Sequence, residues 1–198
     1  MTSAHDPGRI GPNAVIRVAE ALRQVEGQPM LERVFHDAAL AEYLSHPPTD
    51  MVDEREVATL HRVLRTTLGD DRARAIGWDA GQRTGDYLLR YRIPRPARVV
   101  LGCLPAGAAS RLLVSAIARN AWTFAGTGRF SVRRGRPVIV SIDGCPLCQG
   151  AVSDRPYCDF YAATFQRLFA RLVRSETVVT EIGCQATGDA ACAFSVAW

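Results

Sequence analysis

No run of 18 apolar residues occurs in the chain, so no transmembrane helix is expected. The opening MTSAHDPGRIGPN has no apolar core, so no secretory segment is expected and the cysteines should sit in a reducing cytosol. A strong charge bias is missing as well. Twenty-four basic residues face 20 acidic ones, and the net charge of +4 is too mild to argue for nucleic acid. Nucleotide and electron-carrier motifs are lacking. No G-x-G-x-x-G leads from a strand into a helix, there is no P-loop, and no ferredoxin-type cysteine run occurs. The GTG of WTFAGTGRF falls inside an expected hairpin rather than at a helix start. What remains is an ordinary globular composition, 47% apolar and 22% charged, in 198 residues without internal repeats. That length suffices for one domain with its own core.

The pattern along the chain divides into a helical part, 13–119, and a mixed part, 120–198, behind a loose leader at 1–12. NAVIRVAEALRQVEG reads as an amphipathic helix capped by Asn13 and ended near Gly27. Residues 28–44 read as a second helix, stopped by the two prolines of SHPPTD. Asp53 followed by Glu56 resembles a capping box, and Val57, Leu60, Leu64 and Leu68 continue at helical spacing. Residues 71–91 read as a helix carrying Gly77, Gly81 and Gly85 near one face, where another backbone or a flat ligand could approach closely. RIPRPAR reads as a linker, and 106–119 as a further helix. The stretch WTFAGTGRFSVRRGRPVIVSIDG then reads as a β-hairpin, 157–173 as a helix, and 176–183 and 191–197 as short strands. Short turns between strands make the sheet largely antiparallel, so the expected class is α+β with helices packed against the sheet.

Five of the six cysteines lie between Cys145 and Cys192. In a reducing compartment such clustering favours metal binding or catalysis over disulfides. Cys103, in LGCLPAG, reads as a small buried residue. Glu181, Cys184 and Cys192 flank a tight turn, which is a common way to build half of a zinc site. Cys158 would supply a fourth ligand from the first turn of its helix, where the dipole favours a thiolate. The alternative is that the cysteines are merely small buried residues and Glu181 a solvated strand residue. Cys145-Pro-Leu-Cys148 reads as a loop with a structural role, because Gly150 and Pro156 follow it; an extra metal contact or a redox pair are the other options.

The segment from Cys158 to Phe194 resembles the 4-vinyl reductase domain family, whose pattern is C…E-x2-C-x-x-x-G-[DE]-x-x-C. Here the matching residues are Cys158, Glu181, Cys184, Gly188, Asp189 and Cys192. The resemblance implies a structural zinc ion on Cys158, Glu181, Cys184 and Cys192. RIGPNAVIRVAEAL, MVDEREVATLHRVLR, TGDYLLRYRIP and AWTFAGTGRF extend it, from about Ile10 to Trp198, to the branch of that family that serves bacteriochlorophyll biosynthesis. That branch implies a divinyl magnesium tetrapyrrole as ligand or substrate, reduction of its 8-vinyl group (4-vinyl in older numbering), and other pigment-synthesis enzymes as partners. It also implies a cytoplasmic protein, peripheral at the photosynthetic membrane. The family's sensor domains imply a homodimer. The family name says reductase, yet no reductant motif is visible and no catalytic residue can be named. Three readings stay open: a substrate carrier, a true 8-vinyl reductase, and a sensor module for small aromatics.

A tetrapyrrole is a flat apolar disc with carboxylates at one edge, and here a central magnesium ion. It needs an apolar slot, cations at the rim and an axial ligand. His61, beside Leu60 and Leu64, is the candidate axial ligand; the alternative is an ordinary core histidine. Trp122 and Phe124 are candidate slot aromatics, with Trp78, Tyr87 and Tyr91 as further options. Arg90 and Arg92, with Arg95 and Arg98, are candidates to grip propionate; the alternative is a solvated basic face.

Overall fold

Spacing of apolar residues at helical intervals builds most of the front of the molecule, and a period of two builds the sheet at its end. A computed structural model describes residues 8–198. Residues 1–7 of the expected leader lie outside the described residues. The remainder of that leader is not loose: strand β1 (Arg9–Ile10) pairs with β2 (Val52–Asp53), and Ile10 is fully buried. A single apolar side chain with two backbone partners is enough to tie that segment down.

Helix α1 (Asn13–Glu26) is capped by Pro12 rather than Asn13, whose carbonyl Oδ1 instead accepts from Arg17 Nε at 3.1 Å. The expected helix 28–44 is two pieces, α2 (Gln28–Asp37) and α3 (Glu42–Ser45). Ala39 adopts φ +60 between them, a conformation no helix continues. Helix α4 (Glu54–Leu68) starts as its sequence predicts, with Asp53 accepting the Arg55 N–H at 2.8 Å. Glu56 does not close the capping box; it accepts from the Tyr43 hydroxyl at 2.9 Å.

Helix α5 (Asp70–Tyr87) runs into a π-helical turn, Leu88–Arg92. RIPRPAR is not a linker: α6 (Arg95–Cys103) begins inside it, with Pro96 in the first turn, where a missing N–H costs nothing. Cys103, expected to be buried, is exposed at the end of α6. Helix α7 (Ala106–Arg119) follows the predicted bounds.

The second half is an antiparallel sheet in the order β3-β4-β6-β5, built from β3 (Arg129–Arg133), β4 (Val138–Asp143), β5 (Val178–Gly183) and β6 (Cys192–Ala197). Helix α8 (Asp159–Leu172) packs its apolar face against it. The α+β class and antiparallel sheet are therefore as expected. Val138, Val140 and Ile142 pair with Val196, Phe194 and Cys192, and all six are buried. The period of two thus carries Cys192 onto the core face.

Helix α5 lies against α8 along the glycine face. A methyl at Gly81 would fall 2.3 Å from the Phe160 carbonyl oxygen and 2.7 Å from the Ala163 Cβ. One at Gly85 would fall 2.6 Å from the Arg167 Cβ. The close approach serves two backbones, not a flat ligand. His61 of α4 meets the same helix, edge-on to Phe160 at 5.9 Å, fully enclosed.

Two outcomes follow from this packing. Gly81→Ala should destabilise the fold by about 1–3 kcal/mol through overpacking, read as a lower urea midpoint. Gly102→Ala, where a methyl would meet nothing within 4 Å, should leave the midpoint unchanged or raise it. Burial, reinforced by the charge of Arg65, pushes His61 down from 6.5 to about 3. The unfolded chain then binds a proton that the folded chain refuses, so stability falls as pH drops from about 6.5 towards 3. A His61→Leu variant should show a shallower loss over that window in urea unfolding.

Candidate metal centre

Three elements deliver the sulfur atoms. The 3-10 turn Pro146–Cys148, after β4, brings Cys145 and Cys148. The N-terminus of α8 brings Cys158, which is its capping residue. The β5–β6 connection brings Cys184 and Cys192, with Glu181 on β5. A bulge between Glu181 and Gly183 lets the carboxylate face inward while the strand keeps its pairing. Gly188, at φ +95, closes the turn, and the Asp189 carboxylate accepts the Cys184 N–H at 2.8 Å and the Thr187 hydroxyl at 3.2 Å.

All five sulfurs are buried. Cys148 Sγ lies 3.3 Å from Cys158, 3.4 Å from Cys192 and 3.6 Å from Cys184. Cys158 and Cys192 are 3.5 Å apart, Cys184 and Cys192 4.0 Å, and Cys145 is 3.5 Å from Cys158. Two sets of donors converge closely enough to hold a metal ion: Cys158, Glu181, Cys184 and Cys192, and also Cys145, Cys148, Cys158 and Cys192. The first is the set predicted from the sequence. The C-x-x-C pair is where sequence reasoning fell short. Its sulfurs are not in a loop apart but inside the same cluster, and its spacing was the signal that could have shown it.

The donor chemistry fits a soft divalent ion. Glu181 Oε2 accepts the Cys158 N–H at 2.8 Å, while Oε1 is buried with no hydrogen-bond partner. Burial pushes this carboxyl up to about 9. A buried carboxylate oxygen without a partner is costly unless a cation takes it. Backbone amides already point at the sulfurs, Tyr157 N–H to Cys184 at 3.3 Å and Gln185 N–H to Cys192 at 3.4 Å, which favours thiolate. Hydrogen bonding from Cys148 brings Cys184 down to about 6, and from Cys145 brings Cys192 down to about 5. Burial raises Cys158 and Cys145. A cation at the centre reverses that burial penalty for every donor it touches.

The frame around the cluster is rigid. Arg65 of α4 lies over the Tyr157 ring at 3.9 Å and donates to the Tyr157 carbonyl at 2.7 Å and to Asp159 at 3.2 Å. Arg74 of α5 donates to the other Asp159 oxygen at 3.2 Å. The two helices thereby hold the segment that carries Cys158.

The residues suggested for a tetrapyrrole are not gathered in one place. Arg90 and Arg92 are exposed on the π-helical turn, over the rings of Tyr91 and Tyr87. Trp122 is exposed after α7. Phe124 joins an aromatic cluster with Phe130, Tyr161 and Phe165, and its carbonyl accepts from the Tyr161 hydroxyl at 2.6 Å. His61 is enclosed, with Nε2 unpartnered. Two clefts open elsewhere, one beside Glu54 and Thr127 and one beside Arg62 and Gly150, and none of the five residues lines either.

Residues 138–197, which include every donor of the cluster, match the family model of the 4-vinyl reductase domain. The fold and the site thus define a protein of the 4-vinyl reductase domain type with a helical front. Over almost its full length the chain is 40% identical to the bacteriochlorophyll synthase 23 kDa chain of Cereibacter sphaeroides, covering 95% of this chain and 90% of that one. It is 38% identical to the protein of the same name from Rhodobacter capsulatus, covering 96% and 87%. The chain belongs to the family of these 23 kDa chains. Its fold is also that of H-NOX proteins. A structure described as an Fe(II) unliganded H-NOX mutant from K. algicida superposes with a TM-score of 0.61 at 10% identity, covering 95% and 96%. One from a study of heme distortion in the H-NOX family gives 0.60 at 11%, covering 96% and 95%.

Removing a donor should unmake the fold locally. Cys184→Ala is expected to lower both metal content and folded yield, measured by elemental analysis and circular dichroism on the same preparation. Loss of metal at unchanged thermal stability would show that the ion is not structural.

Proposed function

We infer that this protein serves bacteriochlorophyll biosynthesis by binding a divinyl magnesium tetrapyrrole precursor and presenting it for 8-vinyl reduction, alongside other pigment-synthesis enzymes. The observation that carries the reading is the match to two bacteriochlorophyll synthase 23 kDa chains along nearly the whole of each protein. A zinc ion on Cys158, Glu181, Cys184 and Cys192 has a structural task, since four protein ligands leave no open position for chemistry. Among the described residues no helix is long and apolar enough to cross a membrane, which suits a protein acting at the surface of the photosynthetic membrane. Solved proteins of the same fold are described by their heme, itself a tetrapyrrole.

The ligand-facing region we assign is the π-helical turn with α6. Tyr91, Val99 and Val100 are 63%, 65% and 54% exposed there, and Arg90, Arg92 and Arg95 stand beside them. Apolar area next to cations suits a disc with carboxylates at its edge. Trp122 is a further exposed face. Phe124 and His61 lie inside, so His61 reaches a magnesium ion only if α4 and α8 part.

Titration of the purified chain with Mg-protoporphyrin and divinyl protochlorophyllide, followed by absorbance and fluorescence, should give stoichiometric sub-micromolar binding. Arg90→Glu with Arg92→Glu should weaken it at least tenfold, about 1.4 kcal/mol. Turnover of the divinyl substrate with NAD(P)H by the purified chain alone would replace the carrier by a reductase. Binding of phenolic compounds without tetrapyrroles would replace it by a sensor. Light scattering of the same sample reads the expected homodimer.

A further inference from the structure

We propose that the cysteine cluster is built for two zinc ions rather than one, bridged by the sulfurs of Cys158 and Cys192. Cys145 and Cys148 complete the first ion's shell, and Glu181 and Cys184 complete the second. The proposal rests on the metal reading above and extends it.

The donor count is the first support. Two four-coordinate sites that share an edge need six donors, and the cluster supplies five thiols and one carboxylate. The two converging sets have Cys158 and Cys192 in common and nothing else. Geometry is the second. With Zn–S bonds of about 2.3 Å, a tetrahedral edge is about 3.8 Å. The shared pair, Cys158 and Cys192, stands at 3.5 Å. Within the first set Cys145 and Cys148 are 3.5 and 3.3 Å from Cys158, and Cys148 is 3.4 Å from Cys192. Within the second, Cys184 is 4.0 Å from Cys192.

Charge is the third. One divalent ion on three thiolates and a carboxylate leaves a net charge of minus two in a buried site. A second divalent ion that brings in two more thiolates adds no net charge, so the second site does not deepen the burial penalty. The C-x-x-C turn is also fixed for the task. Gly144 and Gly150, at φ +70 and +68, bracket it, and the Cys145 N–H donates to Gln185 Oε1 at 2.6 Å. That bond ties the turn to the residue next to Cys184.

The test is the metal content of the full chain, purified with zinc present, by native mass spectrometry and elemental analysis. Two ions per chain are expected, falling to one in a folded Cys145→Ser/Cys148→Ser variant. Cobalt(II) reconstitution reads the bridge directly. The high-spin electron paramagnetic resonance signal should grow with the first equivalent and decline with the second as bridging sulfurs couple the spins. In the double variant it should persist at full loading. One ion in the unaltered chain overturns the proposal and leaves the single-ion reading, with Cys148→Ser alone showing whether Cys148 or Glu181 is the fourth ligand. No ion overturns both. Two ions with uncoupled spins overturn the bridge.

Discussion

The convergence of five sulfurs and one carboxylate at the start of α8 is the constraint on which the second half of the molecule depends. Each donor comes from a segment that would otherwise be free to drift: a 3-10 turn after β4, a helix cap, and a hairpin turn between β5 and β6. Burying these groups without cations would leave Glu181 Oε1 unpaired and several thiols far from their ordinary acidity. Metal binding in such a setting is folding free energy as much as recognition. The sheet register is then pinned at Cys192, whose place on the core face follows from its pairing with Ile142.

The helical half is joined to this centre by a second device, the glycine face of α5. Gly81 and Gly85 let α5 and α8 approach until no methyl fits between them. Arg65 and Arg74 then close on Asp159 from α4 and α5. The half-buried Asp159 sits one residue after Cys158, so helix packing and metal-site geometry share a single short segment. This coupling accounts for a front half that cannot be treated as an appendage of the cysteine-bearing sheet.

The surface on the far side of this frame differs in kind. The π-helical turn and α6 leave valines and a tyrosine in water beside arginines. A closed metal site and an open apolar face are a division of labour in which the ion holds shape and the face meets a ligand. It also explains why no reductant motif is needed for the reading offered here: a carrier needs affinity and release, not electrons.

Much of this was legible in the sequence, because it is local. Helix α7, the Asp53 cap, the antiparallel class and the set Cys158, Glu181, Cys184 and Cys192 follow from periodicity, capping chemistry and ligand spacing. Other features were not legible, because they depend on what lies opposite. The glycines of α5 suit a ligand or a helix equally until α8 is placed against them. RIPRPAR looks like a linker by its prolines, yet Pro96 falls in a first helical turn, where its missing N–H is harmless. Ile10 turns a leader into a strand only because Val52 stands beside it. Cys145 and Cys148 are separated from Cys158 by a stretch that the sequence alone cannot close, and only the tertiary fold brings their sulfurs within contact distance. The sequence by itself determined the kinds of element and the chemistry of the donors, since both depend on neighbours along the chain. Tertiary structure decided which donors share a centre and which apolar residues stay in water, since both depend on neighbours across space.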